Sequence, residues 1–165
     1  MDRCEECGFE YNFTEAASAA SSIVAGIAEL AVLLRDRDAD PRSRREPATW
    51  SPLEYGCHVR DLLLVQRERV LAARRTDRPS FNPMGRDERA DHDGYADQQP
   101  ADVARQLNDA AQLFTNVLRR LSSEDWDRDL MYNYPKPAAR SLRWVAVHTV
   151  HEVNHHLLDV RRQLA

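Results

Sequence analysis

The apolar positions of the chain fall into four stretches with helical spacing, separated by segments rich in charge and proline. In the first stretch Ile23, Ile27, Leu30 and Leu34 recur at intervals of three and four, which makes one helix face apolar. Thr14 can cap this helix, which should run to about Arg35. The second opens at Ser51-Pro52-Leu53-Glu54, a capping box with proline in the first helical position. It should reach about Arg74, with Leu53, Cys57, Leu64, Val65 and Val70 as its apolar surface. Pro100 begins a third helix ending near Leu121, with Val103, Leu107, Ala111, Leu113, Leu118 and Leu121 on the buried side.

Ser141 can cap the last helix, which runs nearly to the C-terminus and carries two stripes. Leu142, Val145, Thr149, Val153, Leu157 and Val160 form one; Trp144, His148, His151, His155 and Leu158 form the other. A helix with two such faces sits well inside a bundle. Segments 36–49, 76–99 and 122–140 hold six of the eight prolines and little periodicity, so they read as loops, with no convincing strand pattern. A connection as long as 76–99 is often functional. The pattern predicts an all-α protein. A four-helix bundle with long interhelix loops spans 14–165, and a short head, 1–13, contains Cys4-Glu-Glu-Cys7.

Composition narrows the function classes. The net charge of −4 gives no general attraction to nucleic acid phosphates. Lys136 is the single lysine among 23 basic residues, and the arginines are interleaved with acids, as on a solvated helical surface. No run of 18 consecutive apolar residues suggests a membrane span, and the first residues do not read as a signal peptide. A cytoplasmic location is the default expectation. There Cys4, Cys7 and Cys57 would be thiols or metal ligands and not disulfides.

The candidate chemistry lies in the histidines. Four of the six fall within 148–156, on the last helix. His151 and His155 are four residues apart, so they project from one face and can share an ion. A third ligand must come from another helix, and His58 on the second is the natural choice. His148, one turn before His151, could replace one of the pair or stand behind it. His156 points about 100° away from His155 and is set aside, and His92 is expected to be solvated. Three imidazoles would leave a coordination position open for chemistry.

The segment Trp50-Ser-Pro-Leu-Glu54-Tyr-Gly-Cys-His58, followed by His151-Glu-Val-Asn-His155-His156-Leu-Leu-Asp159, resembles the DinB-like superfamily. That group includes DinB proteins, YfiT-like metal hydrolases and thiol-dependent S-transferases. The resemblance implies a four-helix bundle with a divalent metal on His58, His151 and His155. Zinc is the leading metal, with nickel or iron as alternatives. It further implies a small thiol such as mycothiol or bacillithiol as cosubstrate and a small electrophile as substrate. A homodimer is compatible with it, whereas nucleic acid and membrane partners are not expected. The leading expectation is a mycothiol-dependent S-transferase. The alternatives are a hydrolase using metal-bound water and a non-catalytic metal or redox stress protein.

The cysteine head is not part of that family pattern. Cys4 and Cys7 are half of a zinc ribbon, and Cys57 with a nearby histidine could complete a second metal site. Redox chemistry or inert thiols are the other readings, and Cys57 alone reads as a small core residue. His151-Glu-Val-Asn-His155 also matches the H-E-x-x-H zinc-protease motif. The usual scaffold for that motif is missing, and Glu152 reads as a solvated or ion-paired side chain. Tyr55 and Trp144 are candidates for the pocket wall. Asp61 and Asp159 could orient imidazoles, although exposed charge is the plainer reading. Residues 81–87 could form a lid.

Overall fold

The computed structural model describes residues 3–165. Four long helices carry the fold: α1 (Ala19–Leu33), α2 (Pro52–Arg75), α4 (Pro100–Leu118) and α5 (Leu142–Leu164). A short helix, α3 (Arg86–His92), lies in the long connection before α4. A three-stranded sheet has the order β1 (Ser80–Phe81), β2 (Asp129–Asn133), β3 (Pro137–Ser141). All-α therefore describes the bulk of the chain but not its loops. In β2 the side chains alternate, with Leu130 and Tyr132 buried and their neighbours half-buried. Five residues are too few to register as a strand beside such strong helical patterns. Pro137 stands first in the edge strand, where a missing N–H costs no ladder bond.

The helices start where local chemistry dictates. Ser51 Oγ accepts from Glu54 N, and Glu54 Oε2 accepts from Ser51 N at 2.8 Å, a complete capping box. Arg44 closes on the same buried carboxylate. Ser141 caps α5 through Trp144 N. Around the bundle α1 packs on α4 and α5, and α2 packs on α4 and α5. Consecutive long helices α1 and α2 thus sit diagonally, as do α4 and α5. A diagonal step cannot be made by a tight turn, which accounts for long connections.

The expected inward stripe of α5 is buried throughout. Ile23, Ile27 and Leu30 of α1 are fully buried with it. Phe13–Leu33, α1 with its leading 3-10 turn, is long and apolar enough to cross a membrane, but these side chains belong to the bundle core. Two expected core positions are wrong by one residue. Leu64 and Leu113 face outward, and Leu63 and Phe114 fill the core. In both helices adjacent apolar residues compete for the inward direction, and only packing against the neighbours decides which one wins.

Where α1 meets α5 there is no room for a side chain on Gly26: a Cβ there would lie 2.6 Å from Val153 Cγ1. Alanine favours helix by about 1 kcal/mol over glycine, but overpacking against a stiff β-branched residue costs about 1–3 kcal/mol. Gly26→Ala should therefore destabilise the protein by about 1 kcal/mol in urea unfolding; a stabilised variant would contradict this close approach. Glu54 joins the cap to Arg44. Burial opposes its charge, yet the Arg44 and Ser51 hydrogen bonds hold its carboxyl below the ordinary 4.5. Glu54→Ala should cost about 2 kcal/mol at pH 7. Because the folded carboxyl is the stronger acid, this stabilisation is complete above pH 4.5 and fades below it. The gap between the two unfolding curves should narrow in acid.

Candidate metal centre

Helix α5 is wedged between α2 on one side and the head on the other, so successive side chains of 148–156 face different neighbours. His58, on the second turn of α2, is buried. Its ring centroid lies 4.9 Å from that of His156. One ligand atom each from His58, Glu152 and His156 lies within 4.8 Å of the others. His156 Nδ1 is 3.0 Å from Asp159 Oδ2 and its Nε2 is 3.7 Å from Glu152 Oε2. Hydrogen-bond logic puts the proton on Nδ1, donating to Asp159, and leaves Nε2 turned toward Glu152.

His151 and His155 face the head. With Cys4 and Cys7 they form a second group whose ligand atoms all lie within 4.8 Å of one another. The expected trio of His58, His151 and His155 is therefore divided. The pair lies with the cysteines, and His58 lies with Glu152 and His156, each one residue further along α5; His155 also groups with His156 and Asp159, and His151 with His148 and Glu152. This corrects the dismissal of His156, whose 100° offset from His155 is what turns it toward α2. Of the two readings of Glu152, solvated or ion-paired, the structure bears out the second. Its carboxylate sits 3.0 Å from His151 Nδ1 and 3.7 Å from His148 Nε2. Burial opposes its charge, but the His151 hydrogen bond and the nearby His148, His156 and His151 hold the carboxyl at about 2.

Cys57 does not join the head cysteines. It is fully buried in the core and its thiol donates to Gln98 Oε1 at 3.5 Å, on the far side of α2. Burial pushes that thiol up to about 12, as expected of a core residue and not of a ligand. Tyr55 packs on His156 with centroids 5.4 Å apart. Trp144 stacks on His148 at 4.3 Å, and Tyr11 Oη lies 2.9 Å from His148 Nδ1. Asp159 does stand behind histidines. Asp61 does not: it is buried against Tyr95 Oη at 2.7 Å and Arg60 at 2.7 Å. His92 is exposed, as expected.

A cavity of about 310 Å³ opens onto His155, His156 and Asp159, walled by Trp50, Tyr55, Thr49, Glu6, Arg86 and Asp87. A second cavity of about 380 Å³, lined by Phe81, Asn82, Pro83 and Met84, lies beside Asp61 and contains no histidine. Segment 81–87 thus divides between the two cavities, with only Arg86 and Asp87 bordering the histidines. Sequence reasoning passed over Glu6, Tyr11, Glu152 and His156. The first two lie far from the cluster along the chain. Glu152 and His156 carried a usable signal, since they repeat the four-residue spacing of His151 and His155 in the next register.

Residues 22–160 match the model of the DinB superfamily. The chain belongs to the DinB superfamily. YfiT from Bacillus subtilis, described as a probable metal-dependent hydrolase with an unusual four-helix bundle topology, has a similar structure, with a TM-score of 0.67. The match covers 87% of this chain and 86% of that one at 14% identity, and shows that the DinB bundle is shared. Among curated proteins, none matches the chain significantly.

The buried histidines make stability sensitive to pH. Burial, then the His156 charge, lowers His58 to about 3, and burial lowers His148 to about 4. Both stay neutral in the fold but take up a proton below about 6.5 when unfolded, so stability falls as pH falls. His151 is shifted the other way: burial lowers it, but Glu152 and Cys4 outweigh burial. It is protonated in both states below 6.5 and leaves the slope there unchanged. Metal-free protein should lose about 3 kcal/mol between pH 6.5 and 5. Urea unfolding at three pH values measures it, and a flat profile would contradict the burial of these rings.

Proposed function

We propose that this chain is a divalent-metal-dependent hydrolase, with the ion held by His58, Glu152 and His156 beside the cavity walled by Trp50, Tyr55 and Arg86. The observation that carries the reading is His58 Nδ1. It is buried and lacks a hydrogen-bond partner among the described residues, and His58 belongs to a group of residues that could hold an ion. An orphaned buried nitrogen calls for an explanation, and a metal is the one that fits its neighbours. His58 is neutral and needs no deprotonation to bind; Glu152 is ionised and offsets cation charge. Two histidines and a glutamate are a donor set found in hydrolytic zinc sites, which favours zinc, and iron suits the same set.

A bound divalent ion supplies Lewis acidity, lowering the pKa of a bound water toward neutrality. The protein does the rest. Asp159 fixes the orientation of the His156 ring through Nδ1. His151 Nδ1, 3.0 Å from Glu152 Oε1, restrains the carboxylate. Trp50 packs on His58 with centroids 5.3 Å apart and limits water on that side. Arg86, exposed at the cavity edge and 5.9 Å from the Trp50 ring, offers a cation to a polar or anionic small electrophile. The YfiT description supports hydrolysis over transfer. The mycothiol-dependent transferase is the second reading, since a thiol in place of water could use the open coordination position of the same site. The H-E-x-x-H protease reading is not pursued, because His151 and His155 turn toward Cys4 and Cys7.

His58→Ala should remove the ion bound at this site and lower turnover by about 100-fold or more. Elemental analysis and a panel of ester, amide and electrophilic substrates, each with and without mycothiol, measure both. Turnover without thiol supports the hydrolase; strict dependence on thiol supports the transferase. Full metal content and full rate in His58→Ala would overturn both.

A further inference from the structure

The cysteine head and the outward histidine pair form a group that the proposed hydrolytic site does not use. We propose that Cys4, Cys7, His151 and His155 form a closed, four-ligand zinc site that staples the N-terminal head to α5. It is separate from the ion proposed at His58 and does not depend on it.

The geometry is that of a site. One ligand atom from each of the four residues lies within 4.8 Å of the others. Cys4 Sγ is 3.7 Å from His155 Nδ1. Zinc–sulfur and zinc–nitrogen bonds of about 2.3 and 2.1 Å at a tetrahedral angle put the two ligands about 3.6 Å apart. The spacings Cys-x2-Cys and His-x3-His are those of two-cysteine, two-histidine zinc sites. The backbone prepares the thiols. Cys4 N donates to Phe9 O at 2.8 Å and Gly8 N donates to Cys4 O at 2.9 Å, closing a tight turn with Gly8 at φ +74°. Arg3 and Glu10 pair across the base of this turn. Only a residue without a side chain takes that φ freely.

The histidines are arranged as ligands. His151 is 7% exposed, its Nδ1 lies 3.0 Å from Glu152 Oε1, and its buried Nε2 has no partner among the described residues. His155 turns Nδ1 to Cys4 and Nε2 to Glu6 and Asp159, at 3.3 and 3.7 Å. Carboxylates behind a ligating imidazole orient the ring and raise its basicity. Two thiolates and two neutral imidazoles leave Zn²⁺ with no net charge, which suits a half-buried position. Four protein ligands leave no open position, so this zinc is structural. It would hold Phe9 and Tyr11 on His151, where ring centroids are 5.4 Å apart in both cases.

The test uses the full chain purified under reducing, anaerobic conditions, with zinc counted by elemental analysis and cobalt(II) reconstitution read by absorption. Wild type and His58→Ala should both show a thiolate-to-cobalt charge-transfer band and retain one zinc per chain that resists dialysis. Cys4→Ser/Cys7→Ser should lose that zinc and the band while keeping any His58-dependent metal. Loss of metal in His58→Ala alone bears on the hydrolytic site, and loss in the cysteine variant alone bears on the staple. A cobalt protein without the thiolate band, a cysteine variant with undiminished zinc, or a metal-free chain with a Cys4–Cys7 disulfide would overturn the proposal. Should the cysteine variant fail to fold, the cobalt spectra of wild type and His58→Ala still decide.

Discussion

One ionised carboxylate, Glu152, organises the interior around the histidines. It lies within hydrogen-bond or ion-pair distance of His148, His151 and His156, and in one ligand group with His58. Burying a carboxylate without partners would raise its pKa and discharge it. Here the imidazoles reverse that tendency, and the carboxyl stays ionised at about 2. Neutral His58 and His148 take part through ring nitrogens and aromatic packing, and they avoid the repulsion that several buried imidazolium ions would create. The local chemistry follows: a buried negative charge among rings that can offer lone pairs, with Asp159 behind His155 and His156.

The bundle topology sets the stage for that arrangement. Because α1 and α2 lie diagonally, α5 contacts both. Its inward stripe, from Leu142 to Val160, is spent on the core. Its remaining surface borders α2 on one side and the head on the other. Since a helix turns about 100° per residue, the pairs His151/His155 and Glu152/His156 look into two different clefts. Two four-residue spacings offset by one residue thus serve two ligand groups, which meet where His151 Nδ1 lies 3.0 Å from Glu152 Oε1.

Membership in the DinB superfamily and the bundle shared with YfiT are consistent with a cavity at one end of α5 walled by aromatic residues. The cysteine head lies outside the residues that match the family. It packs Phe9 and Tyr11 onto the histidines and brings Glu6 to the cavity rim. Residues 4–11 therefore form part of the wall of the histidine cluster.

Much of this was legible in the residues alone. The Ser51–Glu54 capping box, the helix-opening Pro100 and the buried stripe of α5 are local signals, and each appears in the structure where its spacing put it. So are the metal-binding residue types: cysteines three apart and histidines four apart are marked by helix and turn geometry without reference to the rest of the fold. The partnering was not local. Leu64 against Leu63 depends on how α2 packs on its neighbours, the short strand at Leu130 and Tyr132 depends on pairing with β1 and β3, and the choice between His155 and His156 as the partner of His58 depends on how α5 is rotated about its axis. The sequence by itself determined where the four long helices form, though not the short α3, and which residue types could ligate. Tertiary packing decided which ligands meet, because the rotation of a helix with two usable faces is set by the combined burial of all its neighbours.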